Sequence, residues 1–304
     1  MDISETHKKS KKREYWDDLS VGSTTAYKAT KIEELIRNFF PPRCGSILDI
    51  GSGGNCDHIL KYRKLLGAAK ISCLDYDKKV INQMRLQFPN EGIEWHVADI
   101  FQLPQFKGGF DLVFLLDVLH EVYSFYGRLS GDRNEPINNE RGLEYVVNAI
   151  TNISGIVNQR GGIIITDNIL PEENVPVTLR LRSKEISNAV DYFLKNYPSR
   201  KFGEISRKGD FITLNPQDFS VLLTQYNKIK KKDWDRWVVE RLEQHQYITK
   251  RQYQEMFARL GFRTNMIVET PNYVRKEWEQ DFEIIKGLGD FPPKRVTLLS
   301  IKEK

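Results

Sequence analysis

The stretch SILDIGSGGN, residues 46–55, decides how the rest of the chain is read. Its first five residues are strand-forming and mostly apolar, and they run directly into a cluster of glycines. Glycine lacks a Cβ and tolerates positive φ, so such a turn lets the backbone approach a ligand closely. The dinucleotide fingerprint needs a third glycine three residues after Gly53, where Cys56 stands instead. No Gly-Lys-Ser/Thr follows, which excludes the phosphate-cradling loop of nucleotide hydrolases. Taken alone, the turn is either a ligand loop or a plain structural turn.

The surrounding chain narrows that choice. Short apolar segments recur at 46–50 (SILDI), 70–75 (KISCLD), 93–98 (IEWHVA), 110–117 (FDLVFLLD) and 161–167 (GGIIITD), separated by helix-length segments such as 78–88 and 143–157. Strands joined by helical crossovers predict a parallel sheet covered on both faces. Asp49 lies two positions before Gly51, Asp75 closes the second strand and Asp99 follows the third. Acids at the carboxyl ends of successive parallel strands point into the crevice where open α/β sheets bind ligands. Carboxylates accept hydrogen bonds from hydroxyls and amines but repel phosphate. The ligand is therefore expected to carry an amine and a ribose diol rather than a pyrophosphate.

The chain has 304 residues, a 40% apolar fraction and a formal charge of +5, which suits a globular fold with a sizeable core and only mildly favours anionic partners. No apolar run is long enough to cross a bilayer and the first residues lack a secretory signal, so a cytoplasmic location is expected. Cys44, Cys56 and Cys73 show no metal-ligand spacing with one another or with the five histidines, and buried neutral thiols and no metal are expected. Residues 1–45 read as a polar, lysine-rich tail and a helical lead-in ended by Pro41 and Pro42; residues 46–167 read as the ligand-binding core. Residues 168–248 are too long for a connection and read as an inserted helical cap over the crevice. Residues 249–304 supply a helix stopped by Gly261 and two closing strands that complete the core.

These features together, Asp49-x-Gly51-x-Gly53, Asp75-Tyr76, Asp99-Ile100, FDLVFLLDVLHEV and GGIIITD, resemble the class I S-adenosylmethionine-dependent methyltransferases. The resemblance covers residues 30–170 and 249–302. It implies a doubly wound, mostly parallel seven-stranded α/β sheet whose last strand is antiparallel, and S-adenosylmethionine as cofactor. It further implies that Gly51 and Gly53 approach the methionine end with Asp49 holding loop and ammonium. Asp75 would accept both ribose hydroxyls, Tyr76 would lie on an adenine face, and Asp99 would take the adenine amine with Ile100 packed nearby. Asn55 departs from a common glycine, and asparagine tolerates left-handed geometry.

On the acceptor side, Asp117, His120 and Glu121 follow the fourth strand, and Leu119-His120-Glu121-Val122 is similar to the Leu-His-Asp-Trp segment of plant-type O-methyltransferases, where the histidine is the base. His120 is either that base or a histidine bonded within the strand-to-helix turn. Asp117 either serves the site or caps the next helix, and Glu121 either serves it or faces solvent. Asp167, ending the fifth strand, is a further crevice carboxylate. The function expected is methylation of a small-molecule acceptor on oxygen or nitrogen, a role in secondary metabolism being compatible with it. The competing readings are an RNA methyltransferase using the lysine clusters, and a non-catalytic binder of the same cofactor.

Overall fold

A computed structural model describes residues 23–41, 44–53, 56–106 and 109–303. The basic cluster near the N-terminus and Asn55 lie outside the described residues. The first helix, α1 (Ser23–Phe39), places Ile32, Leu35 and Ile36 on its buried side. The parallel strands β1 (Ser46–Ile50), β2 (Lys70–Asp75), β3 (Ile93–Val97) and β4 (Phe110–Leu116) alternate with α2 (Asp57–Leu66) and α3 (Lys78–Gln87). Local chemistry sets the boundaries. Gly67 ends α2 in the left-handed conformation at φ 64°, and the Asp77 side chain caps α3 by accepting from the Lys79 N–H.

After β4 come α4 (Leu119–Tyr126), α5 (Asn139–Ile156) and β5 (Val157–Asn168). The chain returns to this layer with α9 (Lys250–Arg259), β9 (Phe262–Glu269) and β11 (Arg295–Lys302). The seven strands take the order β3-β2-β1-β4-β5-β11-β9. β11 pairs antiparallel with both β5 and β9, while β1 to β5 run parallel. The predicted doubly wound sheet with an antiparallel last strand is therefore the fold observed. One face is packed by α1, α2 and α3 through residues such as Ile32, Tyr62 and Met84. The other is packed by α4, α5 and α9 through Tyr123, Ile150 and Phe257. Each isoleucine or leucine fully buried between these layers contributes roughly 1.5–3 kcal/mol.

The inserted segment differs from a purely helical cap. It carries α6 (Lys184–Asn196), α7 (Pro216–Lys230) and α8 (Trp234–Glu240), and also β6 (Val177–Leu181), β7 (Ser206–Lys208) and β8 (Phe211–Leu214). The strands form a second, antiparallel sheet in the order β10-β6-β8-β7. Its edge strand β10 (Phe282–Lys286), with the preceding α10 (Asn272–Asp281), comes from the segment expected to complete the core. The physical reason is a separate apolar core, in which Val274, Trp278 and Phe282 join Leu179, Phe193, Phe219 and Trp237. The Asp281 carboxylate ties the two segments by accepting from the Tyr226 hydroxyl at 2.8 Å and pairing with Lys230 Nζ at 2.7 Å. α8 stops at Glu240, so Glu243 and His245 sit in the irregular segment that leads back to the core.

Candidate active site

At the end of β1 the chain makes the turn that the glycines permit. Gly51 and Gly53 take φ of 70° and 60°. A Cβ on Gly51 would lie 2.6 Å from Val118 Cγ2, so both conformation and space require glycine there. The Gly51 N–H donates to the Leu74 carbonyl at 2.8 Å, and the Gly53 N–H donates to Asp75 Oδ2 at 3.2 Å. Asp75 also accepts from the Asp77 N–H at 2.9 Å, which fixes its carboxylate beside the turn. Burial pushes the Asp75 carboxyl up to about 6. Asp49 lies under the turn, 1% exposed, with Oδ2 3.2 Å from His58 Nε2 but without hydrogen-bond geometry to any described residue.

Asp99 ends the next strand beside Asp75: the Ala98 N–H donates to the Asp75 carbonyl at 3.1 Å. Asp99 Oδ1 accepts from the Phe101 N–H, capping a short 3-10 turn, and Oδ2 accepts from the Tyr126 hydroxyl at 2.9 Å. Ile100 is buried behind it and Tyr76 is half-buried. Burial, with the charges of Glu121 and Asp75, raises the Tyr76 phenol, so Glu121 lies within electrostatic reach of the Asp75–Tyr76 corner. The predicted cofactor residues that are described thus collect at the carboxyl ends of β1, β2 and β3. The lone pairs that the Asp75 carboxylate keeps beyond its two backbone bonds, together with Asp49 Oδ2, match a ligand that donates from an amine and hydroxyls, as S-adenosylmethionine does.

The acceptor-side residues divide. Asp117 adopts φ 58°, a left-handed geometry that aspartate tolerates better than most residues. Its carboxylate pairs with Lys28 from α1 and, at 3.1 Å, with Arg295 Nη1 from β11. Burial opposes its charge, but these two cations hold the carboxyl well below the usual range. It makes no side-chain cap on α4, whose N-cap residue is Val118. His120 is buried at 4% exposure, with Nδ1 2.9 Å from Asp167 Oδ1 and its backbone N–H donating to Asp167 Oδ2 at 3.1 Å. Asp167 also accepts from the Tyr247 hydroxyl at 3.2 Å and from the Asn168 N–H at 2.8 Å. Burial pulls the His120 imidazole down, but Asp167 and Glu243 outweigh it and push it up to about 9.

Glu243 and His245 complete this cluster, and only the fold brings them there. Glu243 Oε2 is 3.8 Å from His120 Nε2, and the His245 ring lies 4.3 Å from the His120 ring. Burial and the neighbouring His120 lower His245 to about 4. No local spacing in the sequence links either residue to His120. Cys44, Cys56 and Cys73 are buried free thiols, as expected.

Residues 47–125 match the family model described as a methyltransferase domain. Among solved structures, an S-adenosylmethionine-dependent methyltransferase from Mesorhizobium loti is 16% identical with a TM-score of 0.50, over 88% of this chain and 96% of that one. A methyltransferase-like protein from Bacillus halodurans is 12% identical with a TM-score of 0.47, over 93% of this chain and 100% of that one. The N-methyltransferase NodS from Bradyrhizobium japonicum, solved with S-adenosylhomocysteine, is 15% identical with a TM-score of 0.41, over 55% and 73%. No curated protein matches the chain. Among the described residues, no helix is long and apolar enough to cross a membrane.

Proposed function

We propose that this chain, whose residues 47–125 match a methyltransferase domain, is a class I S-adenosylmethionine-dependent methyltransferase and that it methylates oxygen or nitrogen of a compact small-molecule acceptor held between core and cap. One observation carries this reading: His120 of the core, 4% exposed and bonded to the fully buried Asp167, lies against Glu243 and His245, which arrive from the cap. A reaction centre roofed in this way encloses a small molecule better than it tracks a polymer.

S-adenosylmethionine supplies an activated methyl carbon, so the protein's task is alignment and control of charge. We assign Gly51, Gly53 and Asp49 to its methionine end, Asp75 to the ribose diol, Tyr76 to an adenine face and Asp99 with Ile100 to the adenine edge. Asp99 keeps lone pairs for that contact beyond those taken by the Phe101 N–H and the Tyr126 hydroxyl. On the acceptor side, His120 held by Asp167 orients the acceptor's polar atom, with Glu121 at the cofactor edge. Asp117, engaged by Lys28 and Arg295, positions the β4 turn from behind.

The basic clusters that favoured RNA are largely neutralised inside the cap. Lys228 pairs with Glu240 at 3.2 Å, Lys230 with Asp281 at 2.7 Å and Lys231 with Glu277 at 2.7 Å. Arg200 pairs with Asp218 at 2.5 Å. This supports the small-molecule acceptor over a phosphate-tracking surface. The test is to incubate the protein with methyl-labelled S-adenosylmethionine and cell extract, then separate metabolites, RNA and protein. Label is expected in the metabolite fraction and lost with His120→Ala at retained cofactor binding. Label in RNA alone overturns the proposal.

A further inference from the structure

Where core and cap meet, two histidines and a glutamate converge in a buried space. One ring nitrogen from each of His120 and His245 and a carboxylate oxygen of Glu243 all lie within 4.8 Å of one another. A separate carboxylate holds another nitrogen of each ring. His120 Nδ1 is 2.9 Å from Asp167 Oδ1, and His245 Nε2 is 2.7 Å from Glu240 Oε2. This is how metal-ligating imidazoles are oriented: one N–H donates to a carboxylate, which fixes the tautomer and raises the basicity of the other nitrogen. When a metal ion displaces the remaining imidazole proton, Nε2 of His120 and Nδ1 of His245 are the lone-pair donors beside Glu243. Two imidazoles and a carboxylate, two of them oriented by further carboxylates, form a buried ligand set that suits a cation.

We propose that His120, Glu243 and His245 bind a divalent transition-metal ion of the Zn2+ type. Two imidazoles and one carboxylate match ions of intermediate softness. Calcium and magnesium prefer all-oxygen sets, and copper(I) prefers sulfur. Three protein ligands also leave a fourth position open, the arrangement of catalytic rather than structural zinc. Side-chain shifts on the order of 1 Å bring the three donor atoms to metal-ligand distances of about 2.0–2.2 Å. Because His120 belongs to α4 and the other two ligands follow the cap helix α8, the ion fastens the cap to the core. Its open position would take an acceptor oxygen and favour its ionised form. That last role rests on the methyl-transfer reading; ion binding does not.

The test uses the full chain, stripped with chelator and titrated with Co2+ as a spectroscopic probe. One equivalent is expected to give the visible bands of a low-coordinate site, displaced by Zn2+. Glu243→Gln and His245→Ala are each expected to weaken Co2+ binding by more than about 100-fold, and Glu240→Gln, which only orients a ligand, by about 10–100-fold. His96→Ala on β3 should change nothing. Circular dichroism separates loss of the site from loss of the fold, and a wild-type thermal midpoint that rises with Zn2+ and saturates at one equivalent supports the site where a variant does not fold. Absence of the Co2+ bands in wild type, or bands that survive both Glu243→Gln and His245→Ala, overturns the proposal. Co2+ binding is read without cofactor or acceptor, so a metal-binding protein that transfers no label retains this site while the methyl-transfer reading fails.

Discussion

Asp75→Asn should make the fold more stable and the cofactor site weaker at the same time. The Asp75 carboxyl is pushed up from 3.8 to about 6 by burial. At neutral pH its ionised form is therefore disfavoured in the folded chain by roughly 3 kcal/mol relative to the unfolded one. Asparagine removes that cost but loses one of the two backbone bonds that the carboxylate accepts, from Gly53 or Asp77, worth about 1 kcal/mol. The net expectation is about 2 kcal/mol of added stability at pH 7, read as a higher urea midpoint at unchanged slope. Cofactor binding moves the other way. Losing a charge-assisted hydrogen bond to a ribose hydroxyl costs about 1.5–3 kcal/mol, which is about 10- to 150-fold in affinity. Calorimetric titration with S-adenosylhomocysteine measures it. A variant that unfolds at lower urea and binds with unchanged affinity would refute both the burial argument and the placement of the ribose.

Wild-type cofactor affinity should depend on the same group. Only the carboxylate accepts both hydroxyls, so affinity is expected to fall as pH drops through about 6, approaching tenfold per pH unit below it. The stability linked to Asp75 has the opposite sign, because the native state holds its proton more tightly: it rises as pH falls through about 6 and levels off below about 4. Gly51→Ala combines a φ of 70° with a Cβ 2.6 Å from Val118, and is expected to cost at least about 1–2 kcal/mol in unfolding experiments and to lose cofactor binding. Adding Val118→Ala should restore only part of the stability. Arg295→Ala leaves Asp117 with Lys28 alone in a partly buried pair, and a loss of about 3 kcal/mol in urea unfolding is expected.

How much of this was legible in the chain follows from the range of each signal. The glycine turn, the acids closing β2 and β3, and the apolar rhythm of the strands are local, and residues a few positions apart carry them. Asp167 was visible for the same reason, at the end of GGIIITD. The cap sheet was not, because β7 has three residues, all exposed, and β10 finds its partner β6 far away in sequence. Residues 234–245 keep helical spacing of their large side chains throughout, but the helix runs only to Glu240 and the remainder is drawn out to meet the core. Asp117 shows a subtler limit: its position at a strand end suggested chemistry, yet what it meets is decided by Lys28 and Arg295, which precede and follow it by long stretches of chain. Glu243 and His245 carry no signal in their neighbourhood that points to His120.

The place of β11 has a consequence for how the molecule is made. It lies between β5 and β9 and pairs antiparallel with both, yet it follows both in the chain. During synthesis β5 therefore presents a long edge of unpaired backbone groups while all of the cap is still being produced. Such an edge is a template for wrong pairing, and closing it requires contacts between residues distant in sequence, which form slowly. The cap, whose own sheet closes only when β10 emerges, cannot finish before α9 and β9 are out either. Core and cap are thus completed almost together, by the final stretch of described chain, and a chain cut short before residue 282 would have two unfinished sheets rather than one folded half.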